Sequence, residues 1–278
     1  MENWIFDAQF FGNLNDDYLF KTARIKAFLK RNDFTKFILV SSKGMGKTLL
    51  LRYKRDSIEK SSKGILLIPQ NETADYVNLP ASLSKDFHSA MEERVFWEDL
   101  WKLSISISCL LNFTIRISDE ELKQAILDIE RAELPDQMEL ELKNTFTNKF
   151  RPQRRPSEVL DILLQTGKSN VENLRSSALH TLLGLFNKHV SSACVVFLDS
   201  FDQALMHNFS GNLNIWSAAQ TGLMKAAWEL SRHNTHTKVY VTVRQEAYSS
   251  FDDTERLNIS GSAIVIEYSQ DDLKGIFE

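Results

Sequence analysis

FILVSSKGMGKTLLL, residues 37–51, is the stretch that decides the predicted fold of this 278-residue chain. Its first four residues, Phe37 to Val40, are apolar and predict a short buried strand, and the apolar pattern resumes at Leu49 as a helix would. Between the two lies a loop that ends Gly44-Met45-Gly46-Lys47-Thr48. A strand, a glycine-containing loop and a helix in this order predict one βα unit of an α/β protein.

The loop is predicted to bind phosphate, because Gly-Lys-Thr between a strand and a helix is the context of the Walker A pattern. The backbone N–H groups of residues 43–48 would curl around an anion at the positive end of the following helix, and Gly44 and Gly46 permit that curl. Lys47 would contact the β- and γ-phosphates of ATP, and the Thr48 hydroxyl would bind Mg²⁺. The predicted nucleotide-binding residues are Ser42, Lys43, Gly44, Met45, Gly46, Lys47, Thr48 and Leu49.

Ser41 departs from the full Walker A pattern, which has glycine at this position. A serine fits there if its backbone torsions lie in an ordinary region. The alternative interpretation of the whole stretch is a glycine-rich turn between a strand and a helix, with a lysine that is only solvated.

A second buried strand is predicted at ACVVFL, residues 193–198, and Asp199 follows it directly. An apolar strand that ends in a carboxylate is the Walker B arrangement, and parallel sheets bind ligands at the carboxyl ends of their strands. Asp199 would therefore hold Mg²⁺ opposite Thr48. Ser200 follows where many such sites have a glutamate that activates water, so Asp202 is the nearest carboxylate that could orient a water molecule. The alternative for Asp202 is an exposed aspartate that caps a helix.

TKVYVTV, residues 237–243, predicts a further strand, and Arg244 follows it. A polar residue near the end of this strand and an arginine after it match the sensor position of ATPases, where Arg244 could contact the γ-phosphate or stabilise charge in the transition state. The alternative is a surface salt bridge with Glu246 or Asp252. The predicted catalytic residues are Lys47, Asp199, Asp202 and Arg244, and the predicted metal ligands are Thr48 and Asp199.

A long helical insertion is predicted between the second strand, residues 65–69, and the strand before Asp199. About 120 residues separate these strands, far more than a βα connection needs. Helical patterns run over residues 93–111, from a capping box at Ser118 to about Glu133, from a cap at Ser157 to Gly167, and over residues 170–190. One ATPase domain is therefore predicted, with a lead-in over 1–34, a Walker A half over 35–75, the insertion over about 76–190, and a Walker B and sensor half over 191–278.

Composition limits the possible partners of the chain. With 43% hydrophobic and 25% charged residues it is an ordinary globular protein, and its net charge of −4 gives no overall basic field for nucleic acid. A local basic run, Lys149 to Arg155, could contact phosphate backbones, provide an arginine finger to a neighbouring subunit, or be a solvated linker. Cys109 and Cys194 lie in apolar runs and are expected to be buried free thiols, which suits a reducing cytoplasm. No apolar run approaches the ~18 residues that a membrane span needs.

Four segments resemble the AAA+ and STAND-type P-loop ATPases, and bacterial ATPases similar to origin-recognition proteins most closely. They are VSSKGMGKT, VVFLDSFDQAL, IWSAAQTGLMKAAWELSRHNTHTKVYVTVRQEAY and AIVIEYSQDDL, within about residues 35–70 and 190–278. The resemblance implies a five-stranded parallel sheet in the order 5-1-4-3-2 with flanking helices, ATP and Mg²⁺ as ligands, and oligomers in which a neighbour's arginine reaches the site. It gives Lys47 and Thr48 the Walker A roles, Asp199 the Walker B role and Arg244 the sensor role.

The expected function is a Mg²⁺-dependent switch ATPase with slow hydrolysis, whose nucleotide state controls assembly or activation of a larger protein. Phage defence is the biology that the resemblance suggests. The alternatives are a DNA-acting loader or remodeller ATPase and a nucleotide-binding scaffold that does not hydrolyse ATP. A cytoplasmic homo-oligomer is expected. A helix predicted to begin at Ser269 is still running at Glu278, which predicts that a C-terminal lid and effector region lies beyond this chain.

Overall fold

A computed structural model describes residues 22–30, 33–61, 64–70, 72, 74–76, 87–113, 120, 155–165, 167–208 and 212–268. Four predictions lie wholly or mostly outside these residues: positions 1–21 of the lead-in, the helix that begins at Ser118, positions 149–154 of the basic run, and the helix that begins at Ser269. Within the described part, no helix is long and apolar enough to cross a membrane.

The described residues form strands and helices, with several helices in succession before the fourth strand. The strands are β1 (Ile38–Ser41), β2 (Leu66–Ile68), β3 (Asp75–Tyr76), β4 (Cys194–Asp199), β5 (Thr237–Arg244) and β6 (Ala263–Val265). The helices are α1 (Ala23–Phe28), α2 (Lys47–Ser61), α3 (His88–Met91), α4 (Arg94–Phe113), α5 (Pro156–Gln165), α6 (Lys168–Asn173), α7 (Leu179–His189), α8 (Phe201–Asn208), α9 (Leu213–His233), α10 (Gln245–Ser249) and α11 (Asp253–Ser260), with a π-helical turn (Leu174–Ala178) between α6 and α7.

All the described strands belong to one parallel sheet. Its order is β2-β4-β5-β1-β6, and β3 also pairs with β4. β2 pairs with the start of β4 and β3 with its end, so these two short strands follow each other along one edge of β4. The prediction of an α/β protein with a parallel sheet and flanking helices is therefore confirmed. Strands β1 and β4 are buried at every position and mostly apolar, because both faces of such a sheet are covered.

The described helices of the predicted insertion agree with the sequence pattern, with one correction. The pattern over 93–111 corresponds to α4, and the pattern over 170–190 corresponds to α6, the π-helical turn and α7. The prediction that Ser157 caps α5 is wrong. The helix begins at Pro156, and both the backbone N–H and the hydroxyl of Ser157 donate to the buried carboxylate of Asp75. A carboxylate from another element therefore accepts the Ser157 N–H, and the Glu158 side chain within the helix accepts the Arg155 backbone N–H at 2.9 Å.

Lys54 joins the lead-in helix to the sheet domain. Its buried ammonium donates hydrogen bonds to the carbonyl oxygens of Phe28, Lys30 and Asp33 at 2.9, 2.7 and 2.6 Å. Aromatic rings surround the same group, with the centroids of Phe28 and Phe34 at 5.5 and 5.6 Å from Nζ. Burial lowers the pKa of Lys54 to about 8. The segment after α1 is thus held on α2 by one cation.

Two buried cysteines confirm a prediction from the sequence. Cys109 on α4 and Cys194 on β4 are free thiols in the core, and their Sγ atoms lie 3.9 Å apart. The hydrogen bond with the Cys194 thiol, together with burial, raises the pKa of Cys109. This contact shows that α4 packs against the strand that leads to Asp199.

Helices α4 and α9 cross at Gly222, where their backbones nearly touch. A Cβ atom built on Gly222 would lie 2.6 Å from the Cβ of Trp97 and 2.8 Å from the backbone nitrogen of Glu98. The crossing also positions Trp97 and Trp101 against Phe201 of α8, with ring centroids 5.7 and 4.9 Å apart in edge-to-face geometry. The insertion and the sheet therefore share one core.

We expect Gly222→Ala to lower the free energy of unfolding by about 2–3 kcal/mol, because the added methyl group overlaps backbone atoms that cannot move independently. Gly184 on α7 is the matched control, because a Cβ there would meet nothing within 4 Å. Gly184→Ala should raise stability by roughly 0.5–1 kcal/mol through helix propensity. Urea unfolding followed by circular dichroism measures both. Equal effects of the two substitutions would show that the helices do not cross this closely.

Candidate functional site

The predicted phosphate-binding loop connects β1 to α2 at the carboxyl edge of the sheet. Gly44 and Gly46 have φ angles of +81° and +75°, which L side chains rarely adopt. A Cβ at either position would meet nothing within 4 Å, so the backbone conformation and not space requires glycine. The loop leads into the N-terminus of a 15-residue helix, where free backbone N–H groups stabilise an anion.

Lys47 is the first residue of α2, and its side chain folds back onto the loop. Its ammonium donates to the carbonyl oxygens of Ser41 and Ser42, both at 3.0 Å, and to the hydroxyl of Ser41 at 3.3 Å. Burial lowers its pKa, while the charges of Asp202 and Asp199 raise it. These interactions place the lysine between the loop and the two aspartates that the sequence analysis selected.

Ser41 stands where the Walker A pattern has glycine, and a serine fits there only if its backbone torsions are ordinary. It is the last residue of β1 and pairs with Arg244 of β5 in the parallel register. Its φ angle is not positive, since Ser200 alone among the described non-glycine residues has a positive φ. A glycine is therefore not needed at this position.

Asp199 ends β4 and is buried beside the loop. Its Oδ1 atom accepts hydrogen bonds from the Thr242 hydroxyl and from the Ser200 backbone N–H. Burial raises the pKa of this carboxyl group, and the hydroxyls of Thr242 and Thr48 and the Ser200 N–H lower it. The Thr48 hydroxyl and the Asp199 carboxyl group therefore lie close together.

The second oxygen of Asp199 fits a cation. Oδ2 is buried and has no hydrogen-bond partner among the described residues, and an unpaired buried carboxylate oxygen is costly. The donor set is one carboxylate and the Thr48 hydroxyl, both oxygen ligands of the kind that Mg²⁺ prefers. Within the described residues, no group of three or more His, Cys, Asp or Glu side chains could hold a metal by itself. A metal ion here would therefore need phosphate oxygens and water to complete its coordination.

Ser200 has a backbone conformation that the sequence did not reveal. Its φ angle is +60°, in the left-handed region that costs a non-glycine residue about 1–2 kcal/mol. The residue lies directly between Asp199 and helix α8, which begins at Phe201. This turn directs the Ser200 N–H to Asp199 Oδ1 at 2.8 Å.

Asp202 and Arg244 form an ion pair, in which Arg244 Nε donates to Asp202 Oδ2. Asp202 is buried rather than exposed, so its alternative interpretation as an exposed helix cap is wrong. The alternative for Arg244, a surface salt bridge with Glu246 or Asp252, is also wrong in its partners. Asp202 and Arg244, each predicted from a different stretch of sequence, are therefore direct partners in the structure.

Two further residues at this edge are Thr242 and Gln220. Thr242 is the polar residue near the end of β5, and the sequence pattern could have named it as a partner of Asp199. Gln220 on α9 accepts a hydrogen bond from the Arg244 backbone N–H at 2.9 Å. No local sequence signal indicates Gln220, because it is a fully buried polar residue within an amphipathic helix.

Arg155, the described end of the basic run, is surrounded by carboxylates. It pairs with Glu72 at 2.9 Å and Glu158 at 3.1 Å, and its Nε lies 4.0 Å from Asp75. Burial raises the pKa of Asp75 to about 6, although hydrogen bonds from Ser157 oppose that shift. The positive charge of Arg155 is therefore compensated by carboxylates of the same chain.

No protein-family model, curated protein or solved structure matches this chain. The residues described above meet at the carboxyl ends of β1, β4 and β5, where open parallel sheets bind ligands.

We expect Ser200→Gly to raise the free energy of unfolding by about 1 kcal/mol, because glycine adopts a positive φ without steric cost. Ser192→Gly is the control, since Ser192 is exposed and has no positive φ. That change should lower stability by roughly 0.5–1 kcal/mol through unfolded-state entropy. Urea titration measures both variants. A loss of stability in Ser200→Gly would contradict the left-handed conformation.

A pH dependence follows from Asp75. Its folded-state pKa of about 6 lies above the reference value of 3.8, so the unfolded chain loses this proton first as the pH rises. The contribution of Asp75 to stability is present below about pH 4 and is lost as the pH rises through about 6, with a size of up to ~3 kcal/mol.

Between pH 4 and 7, the free energy of unfolding of wild type should therefore fall relative to that of Asp75→Asn. Thermal unfolding across this pH range measures the difference, and the exposed Asp253→Asn is the control that should follow wild type. Parallel curves for wild type and Asp75→Asn would show that burial does not perturb Asp75.

Proposed function

We propose that this chain is an ATP-binding P-loop domain of a switch ATPase that hydrolyses ATP slowly. The observation that carries the proposal is the meeting of Lys47, Thr48, Asp199 and Arg244 at one edge of a parallel sheet, around a loop with two glycines in the left-handed region. A loop of this kind at a helix N-terminus provides N–H donors and a cation for phosphate.

The described strand order supports the P-loop fold. If β2 and β3 are counted as one interrupted strand, the order along the sheet is 2-3-4-1-5 in chain numbering. Seen from the opposite edge this is 5-1-4-3-2, the order that the resemblance to AAA+ and STAND-type ATPases implies. The strand with the Walker B aspartate and the strand with the sensor arginine are then neighbours, as the proposed chemistry needs.

Each residue has a distinct role in the proposed binding step. The N–H groups of residues 43–48 and the Lys47 ammonium would bind the β- and γ-phosphates. Thr48 and Asp199 would hold Mg²⁺, which neutralises phosphate charge when it is bound. Thr242 keeps the Asp199 carboxylate oriented through Oδ1, so that Oδ2 remains for the metal.

The ion pair between Asp202 and Arg244 would slow hydrolysis, because it occupies both side chains. Asp202 would orient the attacking water and Arg244 would stabilise charge on the γ-phosphate, yet each is neutralised by the other in this structure. Hydrolysis therefore requires the pair to separate. A γ-phosphate that attracts Arg244 would free Asp202, which couples nucleotide state to a local rearrangement at the start of α8.

The larger biology is proposed from the resemblance. A homo-oligomer would bring an arginine from a neighbouring subunit to the site, and nucleotide state would control the assembly or activation of an effector, with antiviral defence as the suggested role. A scaffold that binds but does not hydrolyse ATP is the second candidate, because Ser200 and the occupied Asp202 leave no free carboxylate after Asp199. The DNA-acting alternative gains no support from Arg155, whose charge is paired.

We expect Lys47→Ala to weaken ATP binding by at least tenfold and to leave the chain folded, because the lost ammonium contacts the loop and the phosphate rather than the hydrophobic core. Lys60→Ala is the matched control, at an exposed position in the last turn of the same helix, and should bind as wild type does. Calorimetric titration with and without Mg²⁺ measures binding, and Asp199→Ala should abolish the effect of Mg²⁺.

Phosphate release measured in the same samples separates the two candidate functions. Release that is lost in Asp199→Ala favours the ATPase, and tight ATP binding without release favours the scaffold. Equal ATP affinity in wild type and Lys47→Ala would contradict the nucleotide site itself.

A further inference from the structure

The side chain of Ser41 is the part of the loop that the Walker A pattern does not explain. It is fully buried, with 0% of its surface exposed, and its hydroxyl has two partners. It donates to the carbonyl oxygen of Ser42 at 3.0 Å and accepts from Lys47 Nζ at 3.3 Å. The glycine that the pattern expects here could make neither contact.

The hydrogen bond from Lys47 to the Ser41 hydroxyl completes the hydrogen bonding of the lysine. A lysine ammonium has three N–H donors. The carbonyl oxygens of Ser41 and Ser42 accept two of them, each at 3.0 Å, and the Ser41 hydroxyl accepts the third. All three donors are therefore directed back into the loop, so a phosphate oxygen must displace one acceptor before Lys47 can bind it.

The acceptor that gives way first is the Ser41 hydroxyl. Its bond to Lys47 is the longest of the three, and hydrogen bonds weaken with distance. The two carbonyl oxygens are fixed by the backbone of the strand and loop, and they would be present with glycine at position 41 as well. Serine at position 41 thus adds one competing acceptor.

We propose that Ser41 sets the affinity of the loop for nucleoside di- and triphosphates, by accepting the Lys47 N–H that a β- or γ-phosphate oxygen must use. The inference rests on the proposed function, since it concerns the same nucleotide site. Its consequence is a weaker nucleotide site than a glycine at this position would give. Ser41 acts through Lys47 and is therefore a positioning residue.

The test compares Ser41→Ala, Ser41→Gly and Ser41→Thr with wild type in titrations with ATP, ADP and AMP, with Mg²⁺ present. Ser41→Ala and Ser41→Gly should bind ATP and ADP about three- to tenfold more tightly, the effect of one hydrogen bond of ordinary net strength. Ser41→Thr keeps the hydroxyl and should bind as wild type does. AMP has no β-phosphate, so its affinity should be the same in all variants.

Ser104→Ala is the matched control, because Ser104 on α4 is also a fully buried serine whose hydroxyl donates to a backbone carbonyl. It should leave every nucleotide affinity unchanged. Melting temperatures of all variants show that they are folded, and Ser41→Gly provides a second variant if Ser41→Ala fails to fold.

The outcomes separate this inference from the proposed function. If wild type binds ATP and the alanine and glycine variants bind it equally or more weakly, the inference is overturned and the nucleotide site stands. An equal gain for AMP would also overturn it, because Lys47 would not be the group affected. If neither wild type nor any Ser41 variant binds nucleotide, the proposed function is wrong and the inference with it.

Discussion

Parallel pairing of β1, β5 and β4 is the constraint on which the rest of the structure depends. Because parallel strands point the same way, their carboxyl ends meet at one edge of the sheet. The register sets Ser41 beside Arg244, and it sets Leu198 beside Val241, so that the next residues, Asp199 and Thr242, come within hydrogen-bonding distance. A loop leaving β1 at this edge is directed at a carboxylate and an arginine more than 150 residues away in the chain.

Burial then determines the charge balance at that edge. It raises the pKa of Asp199 and lowers the pKa of Lys47, so both groups are pushed towards their neutral forms. Neither charge is directly paired: Asp199 Oδ2 has no hydrogen-bond partner among the described residues, and the Lys47 ammonium donates to neutral oxygens of its own loop. A polyphosphate with a divalent cation would compensate both, which is the physical basis of the proposed function.

The helical insertion packs against the residues that follow Asp199 at this edge. Trp97 and Trp101 of α4 contact Phe201, two residues after Asp199, and Gly222 lets α9 approach α4 closely enough to close that cluster. The same helix α9 carries Gln220, which holds the Arg244 backbone. Rearrangement of the Asp202–Arg244 pair would therefore act on the packing between the insertion and the sheet.

The sequence by itself determined strands β1, β2, β4 and β5, the long helix α4 and the loop, because apolar periodicity and glycine spacing are local properties of the chain. The two-residue strand β3 has no such pattern, because it is too short to show a period. It also selected Lys47 and Asp199, since each directly adjoins a predicted strand or helix. Only the tertiary structure decided that Asp202 pairs with Arg244 and that Ser157 binds Asp75 instead of capping its own helix. The reason is physical: partners far apart in the chain meet only after the sheet is assembled, and a buried charge then takes the nearest group that can satisfy it.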